Sequence, residues 1–282
     1  MTERMADVSA RIEGVRQLSA VVNAMKGIAA ARARAAQAQI VAVDSYAATI
    51  SAAMARVLRP GDTRATGIAG GEAAAGRTGL LLFLAEQGFA GAFSERVLDS
   101  VGEELETASL LLVGTRGLAI AAARGLVPVW SSPAPARSPG IPKLADAITR
   151  AIYRALDEGR FDRLEVVHAS WTSGRPRMER QRLFPIDLAV APHPAGDSPL
   201  IQLPPEALLA SLGADYVHAR VCHAALHAFA AENEARMEAM SSAGSQIASE
   251  LEIFEATLRR VRQEAITAEI IELGAGAVDA RR

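Results

Sequence analysis

Apolar or alanine residues recur at steps of three or four along the first part of the chain: Val8, Ile12, Val15, Leu18, Val22, Met25, Ala29, Ala33, Ala36, Ile40, Val43, Ala47, Ile50, Met54 and Val57. That period lines one side of a helix, and no proline interrupts it before Pro60. A helix of roughly 50 residues at about 1.5 Å each spans about 75 Å, far beyond an ordinary globular helix. A 3-4 repeat sustained over that length predicts a coiled coil. Much of the stripe is alanine, which allows a partner helix to approach closely.

A matching stripe closes the chain through Leu226, Phe229, Asn233, Met237, Met240, Gly244, Ile247, Leu251, Phe254, Leu258, Val261 and Ala265, with Ile266, Ile270 and Leu273 beyond. Gly274 and Gly276 are its natural stop. The pattern predicts entry in two pieces, a short helix from Pro204 and Pro205 and, after Gly213, a long run from Ala214. Long helices at opposite ends of one chain can pair antiparallel, leaving the middle as a separate unit.

In that middle, 79–85 (GLLLFLA) and 109–113 (SLLLV) are continuous apolar runs of strand length, each followed by a glycine turn and a helical pattern. Such runs, buried on both faces, belong to a parallel βαβ sheet. Helices are predicted near 91–107, 115–124 and 142–158. Residues 163–171 and 179–190 predict a strand pair across a turn at Gly174 to Pro176, and 131–142 a proline-rich surface loop. The expected fold class is α/β: a long antiparallel coiled coil of the N- and C-terminal helices plus a central Rossmann-like βαβ domain. The expected divisions are an N-terminal coiled-coil helix over 1–59, a flexible linker over 60–78, a central α/β domain over 79–204 and a C-terminal coiled-coil helix over 205–282.

Composition narrows the function. With 282 residues, 50% of them apolar and 22% charged, the chain can bury a sizeable core and is not disordered as a whole. No window approaches 18 uninterrupted apolar residues and the N-terminus is charged, so neither a transmembrane span nor a secretory signal is expected. The single cysteine, Cys222, cannot form an internal disulfide or a thiolate cage. A net charge of −2 argues against nucleic acid as the main partner. The only lysines, Lys26 and Lys143, lie outside any GxxxxGK[ST] pattern, which excludes a P-loop.

Candidate chemistry is sparse. Gly88 and Gly91 after the first strand, and Gly114 and Gly117 after the second, suit either a phosphate at a helix N-terminus or tight helix–strand packing, and without GxGxxG spacing the packing reading is preferred. His218 with Cys222 and His223 with His227 have the i,i+4 spacing of helical metal ligands. The two pairs point about 140° apart on one helix, so they cannot converge on one ion, and a solvated helix face with one buried cysteine is expected. Arg175, Arg177, Arg180 and Arg182 place alternating positive charge on a strand and its turn. No nucleophile, base and orienter are grouped, so no catalytic residue, cofactor or metal ligand is expected.

Three segments carry a family resemblance. Asn23-Ala-Met25-Lys-Gly-Ile-Ala-Ala-Ala-Arg32 resembles the KAMxMVAASK stretch of F-type ATP synthase gamma subunits. Ala231-Glu-Asn-Glu-Ala-Arg-Met237-Glu-Ala-Met240 resembles that family's SEQxARMxAM, and Arg262-Gln-Glu-Ala-Ile-Thr267-Ala-Glu269 its RQAxITxE. The resemblance implies a non-catalytic rotor shaft that couples ion flow, of protons or sodium, to ATP synthesis or hydrolysis at the beta subunits. It implies one copy of this chain within three alpha and three beta subunits, with the epsilon subunit and the c-ring against the central domain. The complex is expected peripherally on the cytoplasmic side of a bacterial plasma membrane. By resemblance Met25 and Lys26 fall where the shaft meets the beta-subunit lever, and Arg262, Gln263, Thr267 and Glu269 where it meets the beta catch loops. The family's DRGLCGGxN turn is here Glu86-Gln-Gly-Phe-Ala-Gly-Ala-Phe-Ser94, and Gly27 stands where an apolar residue is usual. The alternatives are a Rossmann-like nucleotide-binding enzyme, which predicts a nucleotide near Gly88, and a free-standing coiled-coil scaffold, which predicts self-association.

Overall fold

A computed structural model of the chain describes residues 2–57, 76–186 and 201–279, with side chains from 4 to 271 within those ranges. Residues 60–75 of the expected linker and 187–190 of the expected strand pair lie outside the described residues. The elements in chain order are α1 (Thr2–Val57), β1 (Thr78–Phe83), α2 (Phe93–Asp99), α3 (Glu104–Thr107), β2 (Ser109–Val113), α4 (Thr115–Ala123), β3 (Trp130–Ser132), a 3₁₀ turn (Ser138–Gly140), α5 (Ile141–Asp157), β4 (Arg163–Thr172), β5 (Arg175–Phe184) and α6 (Pro205–Asp279). Both long helices contribute to two compact units, Met1–Ile28 with Met237–Arg282, and Ala29–Arg236.

In the first unit the helices run antiparallel. Lys26 Nζ lies 3.1 Å from Ser241 Oγ and Arg16 Nη2 lies 2.9 Å from Glu255 Oε1, so the partner number rises as the α1 number falls. Val22, Met240 and Ile247 form the buried seam, with Val15, Met25 and Ala243 packed against it. Gly244 faces Val22 across the seam, and a Cβ on it would make ordinary contact with Val22 Cγ1 at 3.9 Å. Leu18, assigned to the stripe, is exposed instead, as are Ile266 and Ile270. Val8 is the first buried residue of α1 among the described residues, and Val261 the last of α6.

The second unit is built on a five-stranded sheet of order β3-β2-β1-β4-β5, parallel except for β4 with β5. Alternate residues of each central strand enter opposite cores, which explains the uninterrupted apolar runs. Leu81, Phe83, Leu111, Val113, Leu164 and Val166 face α5, Ala36 and Met54 of α1, and Val217 to Ala230 of α6. Leu80, Leu82, Leu110, Leu112 and Val167 face Phe93, Val97 and Leu98 of α2 and Ala121 of α4.

Four local expectations are corrected. The helix expected over 91–107 is two, with Gly102 at positive φ between them. The entry helix is not broken at Gly213, because α6 runs unbroken from Pro205; a Cβ there would make only an ordinary contact with Ile186 Cδ1 at 3.5 Å. The proline-rich loop opens with β3, three residues paired to β2 at Leu111–Trp130, too short for a period to register. Finally, β5 starts at Arg175, directly after a two-residue turn in which Ser173 and Gly174 both have positive φ, the hairpin geometry that matches strand twist. Pro176 is tolerated because β5 is an edge strand.

By length and composition α1 is also apolar enough to cross a membrane, contrary to expectation. Much of that apolarity is alanine, and Ala29, Ala33 and Ala36 are at most 1% exposed.

Candidate functional site

The six residues singled out from the motifs all fall in the helical unit. Met25 is half-buried against Val22, Met240 and Ile247, and Lys26 donates to Ser241 Oγ. Arg262, Gln263, Thr267 and Glu269 are exposed on α6; the Thr267 hydroxyl donates to the Gln263 carbonyl at 2.9 Å, one turn back. Ile266 and Ile270 stand between them at 53% and 63% exposure. Side chains i, i+4 and i+7 share a helix face, so Arg262, Ile266 and Glu269 form one stripe. An apolar-polar face of this kind, covered by none of the described residues, has the character of an interaction surface. The period alone could not separate these isoleucines from the seam, because both recur at the same steps.

The second motif segment has a different task. Glu232, Asn233 and Arg236 are at most 5% exposed, although charged residues are rarely buried unless paired. The Glu232 carboxylate accepts the backbone N–H groups of Glu86 at 3.2 Å and Gln87 at 3.1 Å and pairs with Arg236. Arg236 donates Nε to the Gly88 carbonyl at 3.1 Å and Nη1 to Asn233 Oδ1 at 3.0 Å. Helix α6 therefore grips the turn after β1 by its backbone. The turn passes the grip on, because the Glu86 carboxylate accepts the Thr115 N–H and hydroxyl, both at 2.9 Å, and the Ala134 N–H at 2.7 Å. An acid at the first turn of α4 is also favoured by the helix dipole. Ser94 Oγ takes the Ala85 N–H at 3.0 Å. The residues that depart from the family's turn thus make its contacts here.

The glycines serve packing. Gly114 has φ of 112°, and a Cβ on it would run into the Leu84 carbonyl; one on Gly117 would run into the Leu84 side chain. These are the close helix–strand approaches of a tightly packed turn. The histidine pairs face different elements, as their angle requires. His218 Nε2 lies 3.0 Å from Asp146 Oδ1 on α5, and burial, with Asp146 second, pushes the Cys222 thiol up to about 11. His223 and His227 instead meet His168 of β4, so the expectation of a solvated helix face is overturned; the β4 alternation signalled that His168 points toward α6, while its partner stayed invisible. Arg180 is tied to Glu104 and Glu165, its hydrogen bond holding the Glu104 carboxyl below its usual value. Arg175, Arg177 and Arg182 are exposed.

One unit is a pair of long helices joined by a seam, and in the other a sheet is clamped to helix α6 by buried polar contacts. The ATP synthase family model matches residues 4–278. The chain is 30% identical to the ATP synthase gamma chain of Moorella thermoacetica over 278 residues, 97% of this chain and 98% of that one. It is 29% identical to that of Chlorobium luteolum, covering 97% of each. Among solved structures, a chain of the Euglena gracilis mitochondrial ATP synthase OSCP/F1/c-ring assembly has the same fold, with a TM-score of 0.66 at 14% identity over 99% of this chain and 95% of that one. The chain belongs to the ATP synthase family, in its gamma-chain branch. It is a non-catalytic stalk subunit, the central rotor shaft, and ATP chemistry resides in the beta subunits.

Proposed function

We propose that this shaft transmits torque through two sets of side chains: Met25 and Lys26 against the lever of a beta subunit, and Arg262, Gln263, Thr267 and Glu269 against the beta catch loops. The observation that carries the reading is the exposed stripe of α6, where four polar side chains flank Ile266 and Ile270 and none of the described residues covers them. Hydrogen-bonding groups around a modest apolar patch bind transiently and release, which a turning shaft requires, whereas a continuous apolar face would bind and stall. The close seam around Val22, Met240 and Ile247 supplies stiffness. The assembly is one copy of this chain within three alpha and three beta subunits. The sheet-bearing domain is held against the epsilon subunit and the c-ring, at the cytoplasmic face of a bacterial plasma membrane. The division into terminal coiled-coil helices, a linker over 60–78 and a central domain over 79–204 belongs to the same reading.

Replacing Arg262 and Gln263 with alanine tests it. The doubly substituted chain is expected to fold normally but to lower coupled ATP hydrolysis severalfold in the reassembled complex. Unchanged activity in a fully assembled complex removes both residues from the coupling surface. Native mass spectrometry of the purified complex reads the copy number, and a homo-oligomer of this chain overturns the assembly.

A further inference from the structure

Three of the chain's five histidines meet inside the sheet-bearing unit, and nothing in the shaft's task uses them. His168 on β4 is 1% exposed. Its ring centroid lies 5.7 Å from that of His227 and 6.2 Å from that of His223, and the last two, one turn apart on α6, are 4.4 Å from each other. Every element around them contributes a facing group. From α1, Asp44 Oδ1 lies 3.2 Å from His223 Nε2. From β5, Glu179 Oε2 lies 3.9 Å from His168 Nε2. Arg220 faces the pair from α6 itself, and on β4 the Ala169 carbonyl oxygen is 3.3 Å from His168 Nδ1. Among the described residues, buried His223 Nδ1 has no hydrogen-bond partner.

This arrangement suits uncharged rings. Burial, the leading cause, disfavours the protonated form of all three. It holds His168 down at about 4 against the opposing pull of the Ala169 carbonyl and Glu179, and it lowers His223 and His227 as well. Each proton taken up also repels the next, because the rings are within 4.4 to 6.2 Å of one another. Asp44 and Glu179 supply only two negative charges, one of them half exposed, and Arg220 offsets part of that.

We propose that His168, His223 and His227 form a proton-operated latch between β4 and α6: neutral, the packed rings seat the helix on the sheet; protonated, they push the two apart. A histidine whose folded value lies below its unfolded 6.5 leaves stability intact above pH 6.5 and removes it as pH falls toward 4. For each proton taken up on opening, the local opening equilibrium rises by up to about tenfold per pH unit in that window.

Hydrogen exchange of the full-length chain, read by mass spectrometry and corrected for intrinsic rates, tests this at about pH 7.5, 6 and 5. Peptides covering 163–172 and 217–231 are expected to open about tenfold more between the last two values, while those covering α2 stay constant. The triple variant His168→Gln, His223→Gln, His227→Gln is expected to lose that dependence. Histidine ring resonances of the unsubstituted chain provide a readout that does not depend on the variant folding. Three rings titrating below 6.5 support the latch; midpoints at or above 6.5, or pH-independent exchange of the two segments, overturn it.

Discussion

The two compact units solve opposite problems with the same two helices. In the sheet-bearing unit all twelve of the largest fully buried side chains are found, among them Phe93, Phe161, Met54, Leu111 and Ile148. There one face of each long helix meets the sheet and α5, so side chains on that face are enclosed by several elements. In the helical unit the buried apolar residues are Val8, Ile12 and Val22 on one side and Met240, Ile247 and Val261 on the other. A two-helix seam has width for one row from each partner, and the rest of the helix faces water. Leu18, Val21 and Ile28 of α1 and Ile253, Ile266 and Ile270 of α6 are accordingly more than half exposed. Both units expose apolar side chains, Val41, Phe89 and Val127 among those of the sheet-bearing one, but the sheet-bearing unit also encloses a wide core. Polar contacts divide likewise: the ion pair Arg16–Glu255 is solvent-exposed and worth little, whereas Glu232–Arg236 is buried and anchors a turn.

The largest expected effect breaks the comparison at that anchor. Glu232→Ala leaves a buried guanidinium unpaired and strips two turn amides of their acceptor, and is expected to cost about 3–5 kcal/mol of stability in chemical denaturation. A loss below about 1 kcal/mol means the turn is held by packing alone. Next, the cores separate under truncation. Ile148→Ala, at a site with no exposure, is expected to cost about 3–5 kcal/mol, and Ile247→Ala, at 9%, about 2 kcal/mol or less, because a seam open to water relaxes around the gap. Equal losses measured by the same denaturation would erase the distinction between a surrounded core and a seam. The smallest effect has the opposite sign. A Cβ on Gly27 meets nothing within 4 Å, so Gly27→Ala is expected to raise helical stability by about 0.5–1 kcal/mol, read as a higher melting temperature. A decrease would mean that this position needs a glycine for a reason outside α1.

Much of this architecture was readable before any coordinate. The stripes of both long helices, the runs 79–85 and 109–113, and the hairpin are patterns in neighbouring residues, and neighbours dictate period. What misled was of two kinds. Gly213 carries the local signal of a helix break, but α6 runs straight through it. Ile266 and Ile270 continue the seam's spacing, but both are more than half exposed. The candidate coupling residues came from motif resemblance, and periodicity offered no route to them.

The sequence by itself determined the two long helices, the βαβ order between them and the absence of a P-loop, because helix stripes, buried-strand runs and short phosphate motifs are all written over a few consecutive turns or residues. Only the tertiary structure decided which apolar side of α1 is seam and which is surface, that Glu232 reaches a turn 146 residues away, and that His168 completes a cluster with His223 and His227. Those outcomes depend on what a side chain meets from a distant part of the chain. A residue's spacing states which way it points along its own element; what waits there is settled when the elements pack.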